Sequence, residues 1–195
     1  NYKMEVGKSM GLIYGFVNDG FYTVDDFNFD ETTKKWTLKP GVPDNSSFSS
    51  GNFSFKPGAM KFKKLSDSDS DLITEEDMTV IGNTNPKVTG GFGLSGSWKN
   101  LDFTAFFNYM CDFDVFNVNK LYLNSAVRRN YSNLSTNMNL ARRFRYVDDA
   151  GVNVSSDPVA LAALNQNAAT YSWMSVTQGI TMSDLIEDGS FLRLS

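Results

Sequence analysis

The residues best spaced for chemistry form an acidic run. Asp67, Asp69 and Asp71 alternate with serines, and Glu75, Glu76 and Asp77 follow closely. Carboxylates at one-three-five spacing converge hard oxygens on one ion, so Asp67, Asp69, Asp71 and Asp77 are candidate Ca2+ ligands, with a solvated acidic turn as the competing reading. Elsewhere the chemistry narrows. Histidine is absent, which removes His-based triads, His metal sites and the imidazole proton shuttle together. The single cysteine, Cys111, leaves no internal disulfide and no CxxC site; it reads as a small apolar residue at a strand end. Asp25-Asp26 and Asp148-Asp149 are adjacent carboxylates without a neighbour that would raise one pKa, so glycosidase chemistry has no support and no catalytic residue is expected. Arg128-Arg129, Arg142-Arg143 and Arg145 are candidates for an anionic ligand or lipopolysaccharide, against solvated loop charge. Tyr131, Tyr171 and Trp173 are candidates for stacking on sugar rings, against packing within a loop.

These residues sit on a chain of 195 residues with 18 basic and 22 acidic side chains, a net charge of −4. That length suits one domain or a piece of something larger. The acidic balance argues against a nucleic-acid binder, since no basic stripe neutralises phosphates. A hydrophobic content of 41% is too rich for a disordered tail, and sixteen Phe with fifteen Gly point to a β-rich protein with many tight bends. No stretch reaches the ~20 apolar residues of a membrane-spanning helix, and no signal peptide opens the sequence. Neither observation bears on transmembrane strands, of which only alternate residues touch lipid.

Between Lys8 and Val24, Met10, Leu12, Tyr14 and Phe16 alternate with Gly11, Ile13, Gly15 and Val17, which predicts a strand; Asn18-Asp19-Gly20 predicts a turn or bulge before Phe21-Tyr22. Residues 25–60 read as loop, punctuated by Lys39-Pro40-Gly41, Pro43-Asp44-Asn45 and Lys56-Pro57-Gly58. The clearest pattern runs from Val88 to Cys111. Val88, Gly90, Phe92, Leu94, Gly96 and Trp98 share one face, and after Lys99-Asn100 the alternation resumes with Leu101, Phe103, Ala105, Phe107, Tyr109 and Cys111. A two-residue turn at Lys99-Asn100 pairs Trp98 with Leu101 and puts both apolar sets on one side. Each strand is then about ten residues long, within the ~9–11 that cross a bilayer and beyond the ~5–6 usual in globular proteins. The other face is mainly Ser, Thr, Asn and Gly, as a water-filled lumen would require, with Trp98 and Tyr109 near opposite ends like an aromatic girdle. A long hairpin in a soluble sheet is the alternative. From Asp112 to about Thr181 the pattern dissolves into a large folded excursion, with short helices expected at Asn119–Asn130 and, after Asp157-Pro158, at Val159–Leu164. Strand character returns at Ser190–Leu194.

Several stretches together resemble one family. Gly7–Phe16 followed by Asp19-Gly20-Phe21-Tyr22, Pro57-Gly58-Ala59-Met60-Lys61-Phe62, Thr79–Lys87, the Val88–Cys111 hairpin with its Trp98-Lys99-Asn100-Leu101-Asp102-Phe103 centre, and Asp188-Gly189-Ser190-Phe191-Leu192-Arg193-Leu194 recur in the order found in SusC/RagA-family TonB-dependent outer-membrane transporters. The acidic run resembles that family's loop of alternating acidic residues, departing from it by lacking the turn glycine and by being one residue shorter before Ile73.

The resemblance implies an all-β fold: an antiparallel transmembrane β-barrel segment with long extracellular loops containing short helices. Residues 1–195 would be part of a single barrel domain, a C-terminal portion without the plug domain, since four or five strands cannot close the smallest ~8-stranded barrel. It further implies TonB-dependent import of oligosaccharides or peptides across a Gram-negative outer membrane, in contact with outer-membrane lipid. A SusD-like surface lipoprotein would be the partner, the TonB complex would act through parts outside this chain, and no bond chemistry is involved. The alternative function is a soluble β-rich carbohydrate-binding module.

Overall fold

The computed structural model describes residues 6–48, 55–124, 133–172 and 180–195. The chain is mostly short β-strands with few helices, and none of its sheets closes into a barrel among the described residues. In order come β1 (Leu12–Gly15), β2 (Asn18–Phe21), β3 (Phe27–Asp30), β4 (Lys35–Leu38), β5 (Met60–Phe62), β6 (Thr79–Asn83), β7 (Val88–Trp98), β8 (Leu101–Cys111), β9 (Asp114–Phe116), α1 (Val118–Leu123), α2 (Pro158–Leu164), β10 (Ile186–Asp188) and β11 (Phe191–Leu194).

The body is built from two-stranded antiparallel pairs: β1 with β6, β2 with β5, β3 with β4, and β9 with β10. Its core joins Phe16, Met60, Phe62, Ile73, Met138, Tyr171, Met182 and Leu185, so residues before β7 and residues after β8 bury their apolar side chains together. Phe16 stacks on Phe62 with ring centres 5.2 Å apart. Strict alternation does not hold at the start of the chain. Ile13 and Phe16 have opposite parity yet both are buried, because β1 ends at Gly15 and Phe16 then bridges to Met182, taking a hydrogen bond from Ser183 N–H. The Asn18-Asp19-Gly20 signal is a bulge in β2 against β5, with Gly20 at φ 82°.

The 25–60 stretch holds more order than its turn residues suggest. Phe27 and Phe29 face Leu38 and Trp36 across a hairpin closed by four residues, the last of which, Lys34, sits at φ 56°. Both helices start where side chains can cap them. Asp157 accepts from Val159 and Ala160 N–H with Pro158 in the first turn, and Asn117 accepts from Lys120 N–H.

From this body a three-stranded ribbon projects, in the order β7-β8-β11. All three strands leave the body through one neck. There Asp112 takes φ 59°, its N–H donates to Ser190 Oγ, Gly189 N–H donates to Phe113 C=O, and Lys87 pairs with Asp112 at 2.6 Å on the surface.

Candidate functional site

The register of the ribbon follows the sequence pattern residue for residue. Val88 pairs with Cys111, Phe92 with Phe107, Leu94 with Ala105 and Trp98 with Leu101, across a turn of Lys99 and Asn100 in which Lys99 adopts φ 55°. β11 adds Leu192 opposite Tyr109 and Leu194 opposite Phe107. Because side chains alternate between faces, Val88, Phe92, Leu94, Trp98, Leu101, Phe103, Phe107, Tyr109, Leu192 and Leu194 all emerge on one side. Phe92 and Phe107 stack there at 4.9 Å and 16°. Gly90 is small because the Tyr109 ring occupies the place of its side chain.

The ribbon's distinguishing feature is what does not cover it. All eleven residues of β7 and all four of β11 are exposed, and Ala105 alone is buried in β8. Trp98 is 69% exposed, Leu101 68% and Phe103 60%. No described element turns these phenylalanines into the inner layer of a sandwich. Such a contiguous apolar face marks a membrane or protein interface. The opposite face carries Thr89, Ser95, Ser97, Asp102, Thr104, Asn108 and Arg193, all exposed, but it also carries Phe106, Met110 and Phe191. The outer edges of β7 and β11 have no strand partner among the described residues.

The structure does not gather the candidate calcium ligands. Asp77 is fully buried and its carboxylate is already enclosed: Oδ1 accepts from Leu65 and Ser66 N–H, and Oδ2 from Thr74 N–H and the Lys64 ammonium at 3.1 Å. Burial alone would raise its pKa, but the backbone donors at Ser66, Thr74 and Leu65 outweigh that and hold the carboxyl well below the usual range. With Thr74 it also closes a capping box around a single turn at Glu75–Asp77. Asp71 accepts from Gly41 N–H at 2.8 Å, while Asp67 and Asp69 are exposed. Among the described residues no three Cys, Asp or Glu side chains stand together as a metal site. The residues present therefore do not fit an ion bound by all four: Asp77 has no oxygen to spare and a cation already beside it.

The remaining candidates find local tasks. Asp26 accepts from Thr23 N–H in a capping box and pairs with Lys61 at 3.5 Å. Asp148 accepts from Ala150 and Val152 N–H, and Asp149 pairs with Arg145 at 2.7 Å. Arg143 is half-buried, and desolvation, then the charge of Arg145, lowers its pKa; Arg142 is exposed. Tyr171 is buried in the core, its hydroxyl donating to Asp184 and accepting from Asn124, and burial pushes its phenol upward. It packs the body and presents no face to a sugar. Arg128, Arg129, Tyr131 and Trp173 lie outside the described residues. Cys111 is exposed at the neck end of β8, opposite Val88. On the hydroxyl-bearing face, sequence reading passed over Phe106, Met110 and Phe191, of which Phe106 is the ring near the middle of β8; their break in the polar alternation was the available signal.

No family model matches the sequence, and no curated protein matches it.

Proposed function

We propose that this chain is a stretch of barrel wall with surface loops from a SusC/RagA-type, TonB-dependent importer in the outer membrane of a Gram-negative bacterium, taking up oligosaccharides or peptides with a SusD-like surface lipoprotein. The observation that carries the reading is the uncovered, two-faced ribbon. Eleven residues in each of β7 and β8, at ~3.4 Å each, give about 35 Å, and a tilt near 40° projects this to about 27 Å, close to the ~25 Å apolar band of outer-membrane barrels. One face is a continuous apolar surface fit for hydrocarbon, and the other is rich in hydroxyls and amides fit for water. An open sheet edge is untenable in lipid, so the bare outer edges of β7 and β11 call for further strands on both sides, as barrel closure supplies.

Polarity along the barrel axis follows from the same parts. The two-residue turn at Lys99-Asn100 suits the short periplasmic turns of such barrels, and the loop-built body at the other end suits the large extracellular loops. Trp98 beside the turn and Tyr109 toward the neck then lie at the two interfaces. The chain's task is selective passage rather than bond chemistry, with energy arriving from the TonB complex through parts outside it.

Alternating water access tests the reading. In a Cys111→Ser background, cysteines replacing Leu94, Ser95, Phe103 and Thr104 one at a time are treated in outer membranes with a small, charged, thiol-specific reagent. Ser95→Cys and Thr104→Cys react, whereas Leu94→Cys and Phe103→Cys stay protected. Equal reaction at all four, with a protein that is monodisperse in detergent-free buffer, is the result that a soluble carbohydrate-binding module gives and would end the transporter reading.

A further inference from the structure

The hydroxyl-bearing face of the ribbon has one large ring near its middle. Phe106 lies opposite Gly93 and reaches back toward Gly91: a Cβ on Gly91 would stand 3.0 Å from the ring's Cζ, and one on Gly93 3.4 Å from its Cδ2. The ring therefore lies along the glycine backbone of β7. Its far side is open to solvent, the residue being 46% exposed, and it enters no ring–ring stack among the described residues. Ser95 and Thr104 flank it toward the turn, and Asn108 and Arg193 toward the neck, all on the same face and all exposed.

We propose that Phe106 with this polar frame is a subsite for a pyranose-based oligosaccharide. A flat ring resting on glycine offers its open side to the C–H face of a sugar, while hydroxyl, amide and guanidinium groups around it meet the sugar's edge hydroxyls. A peptide strand is a poorer occupant. β8 is the central strand, paired on both sides, and the Phe106 carbonyl already accepts from Ser195 N–H. An extended peptide would find no main-chain edge here to pair with. The subsite rests on the proposal above that this face lines water.

The test uses the full-length protein in detergent micelles and titration calorimetry with maltohexaose, cellohexaose and mannohexaose, with hexa-alanine as the peptide probe. At least one glycan binds. Phe106→Ala weakens that binding about tenfold, Phe106→Trp retains it, and Phe103→Ala on the opposite face leaves it unchanged. Binding of hexa-alanine alone, binding of none of the probes, or an unchanged affinity in Phe106→Ala overturns the subsite; the retained binding of Phe106→Trp separates loss of the plate from loss of the fold. The water-lined face is checked independently in vesicles of phosphatidylcholine with brominated chains. The indole introduced by Phe103→Trp is quenched and that introduced by Phe106→Trp is not. Quenching of the latter sinks the face assignment, whereas its absence beside an unaffected Phe106→Ala titration sinks the subsite only.

Discussion

The Lys64 ammonium stands 3.1 Å from Asp77 Oδ2, on a buried carboxylate that also accepts three backbone N–H groups. Asp77→Asn tests how much this knot holds. An amide keeps one acceptor oxygen, so whichever way it turns, its NH2 faces donors: two backbone N–H groups on one side, or an N–H and the ammonium on the other. The expected loss is about 3 kcal/mol, read as a lowered urea or thermal midpoint. Its pH dependence has a definite sign. Asp77 titrates lower in the folded than in the unfolded chain, so its contribution is present above the ordinary carboxylate range near ~4 and is lost as pH falls toward the folded value. The stability gap between parent and variant is therefore widest near neutrality and narrows on acidification.

Calcium binding follows the same geometry. With Asp77 committed to Lys64 and the backbone, and Asp71 to Gly41 N–H, the exposed Asp67 and Asp69 have too few partners to displace water from a hard cation. Calorimetric titration of the intact protein with Ca2+ gives the same weak heats for the parent and for Asp69→Ala. A saturating, one-site curve that vanishes in the variant would show that the loop rearranges around an ion.

The parts of this molecule that were plain in its sequence are those whose partners are near in the chain. The 88–111 hairpin announces itself because its register is fixed by a two-residue turn and its faces by period-two alternation. The Asp157-Pro158 helix start is equally local. The β3–β4 hairpin was hidden by the turn residues around it, although Phe27, Phe29, Trp36 and Leu38 alternate as strand residues do. The body could not be read in this way. Its strands are three to five residues long, Phe16 bridges to Met182, and Met60 and Met138 join the same buried cluster, so its contacts are set by packing between distant segments. The acidic run shows a different limit: spacing alone makes Asp77 look like a ligand, and only its burial beside Lys64 reveals a cap.

Gly58 offers a test of the body that leaves the ribbon untouched. It sits at φ 89°, in the left-handed region that side chains disfavour, and the Phe144 ring fills the place where a Cβ would project. Its carbonyl also accepts from Ser172 N–H at 2.8 Å, so the segment cannot simply shift away. Gly58→Ala destabilises by about 2 kcal/mol or more through strain and overpacking together. Pairing it with Phe144→Ala, which opens the space but leaves the backbone strain, separates the two: the double variant recovers part of the Gly58→Ala loss in a double-mutant cycle of unfolding midpoints.

Leu94 and Ser95 are chain neighbours near the middle of β7 and point to opposite faces, Leu94 across from Ala105 and Ser95 across from Thr104. A charge placed on each reads the environment of each face with the backbone held constant. Against hydrocarbon, Leu94→Arg costs about 2–4 kcal/mol, the range for arginine near the bilayer midplane on the lipid side of a barrel, whereas Ser95→Arg meets water and costs little. The folded fraction in outer membranes, followed by resistance to unfolding in detergent before heating, falls for Leu94→Arg and stays near the parent value for Ser95→Arg. Were the ribbon instead a soluble hairpin with both faces in water, the two arginines would be tolerated alike, since β7 is exposed on both sides. It is the asymmetry between adjacent residues, rather than the size of either effect, that distinguishes a wall between lipid and water from a strand in solution.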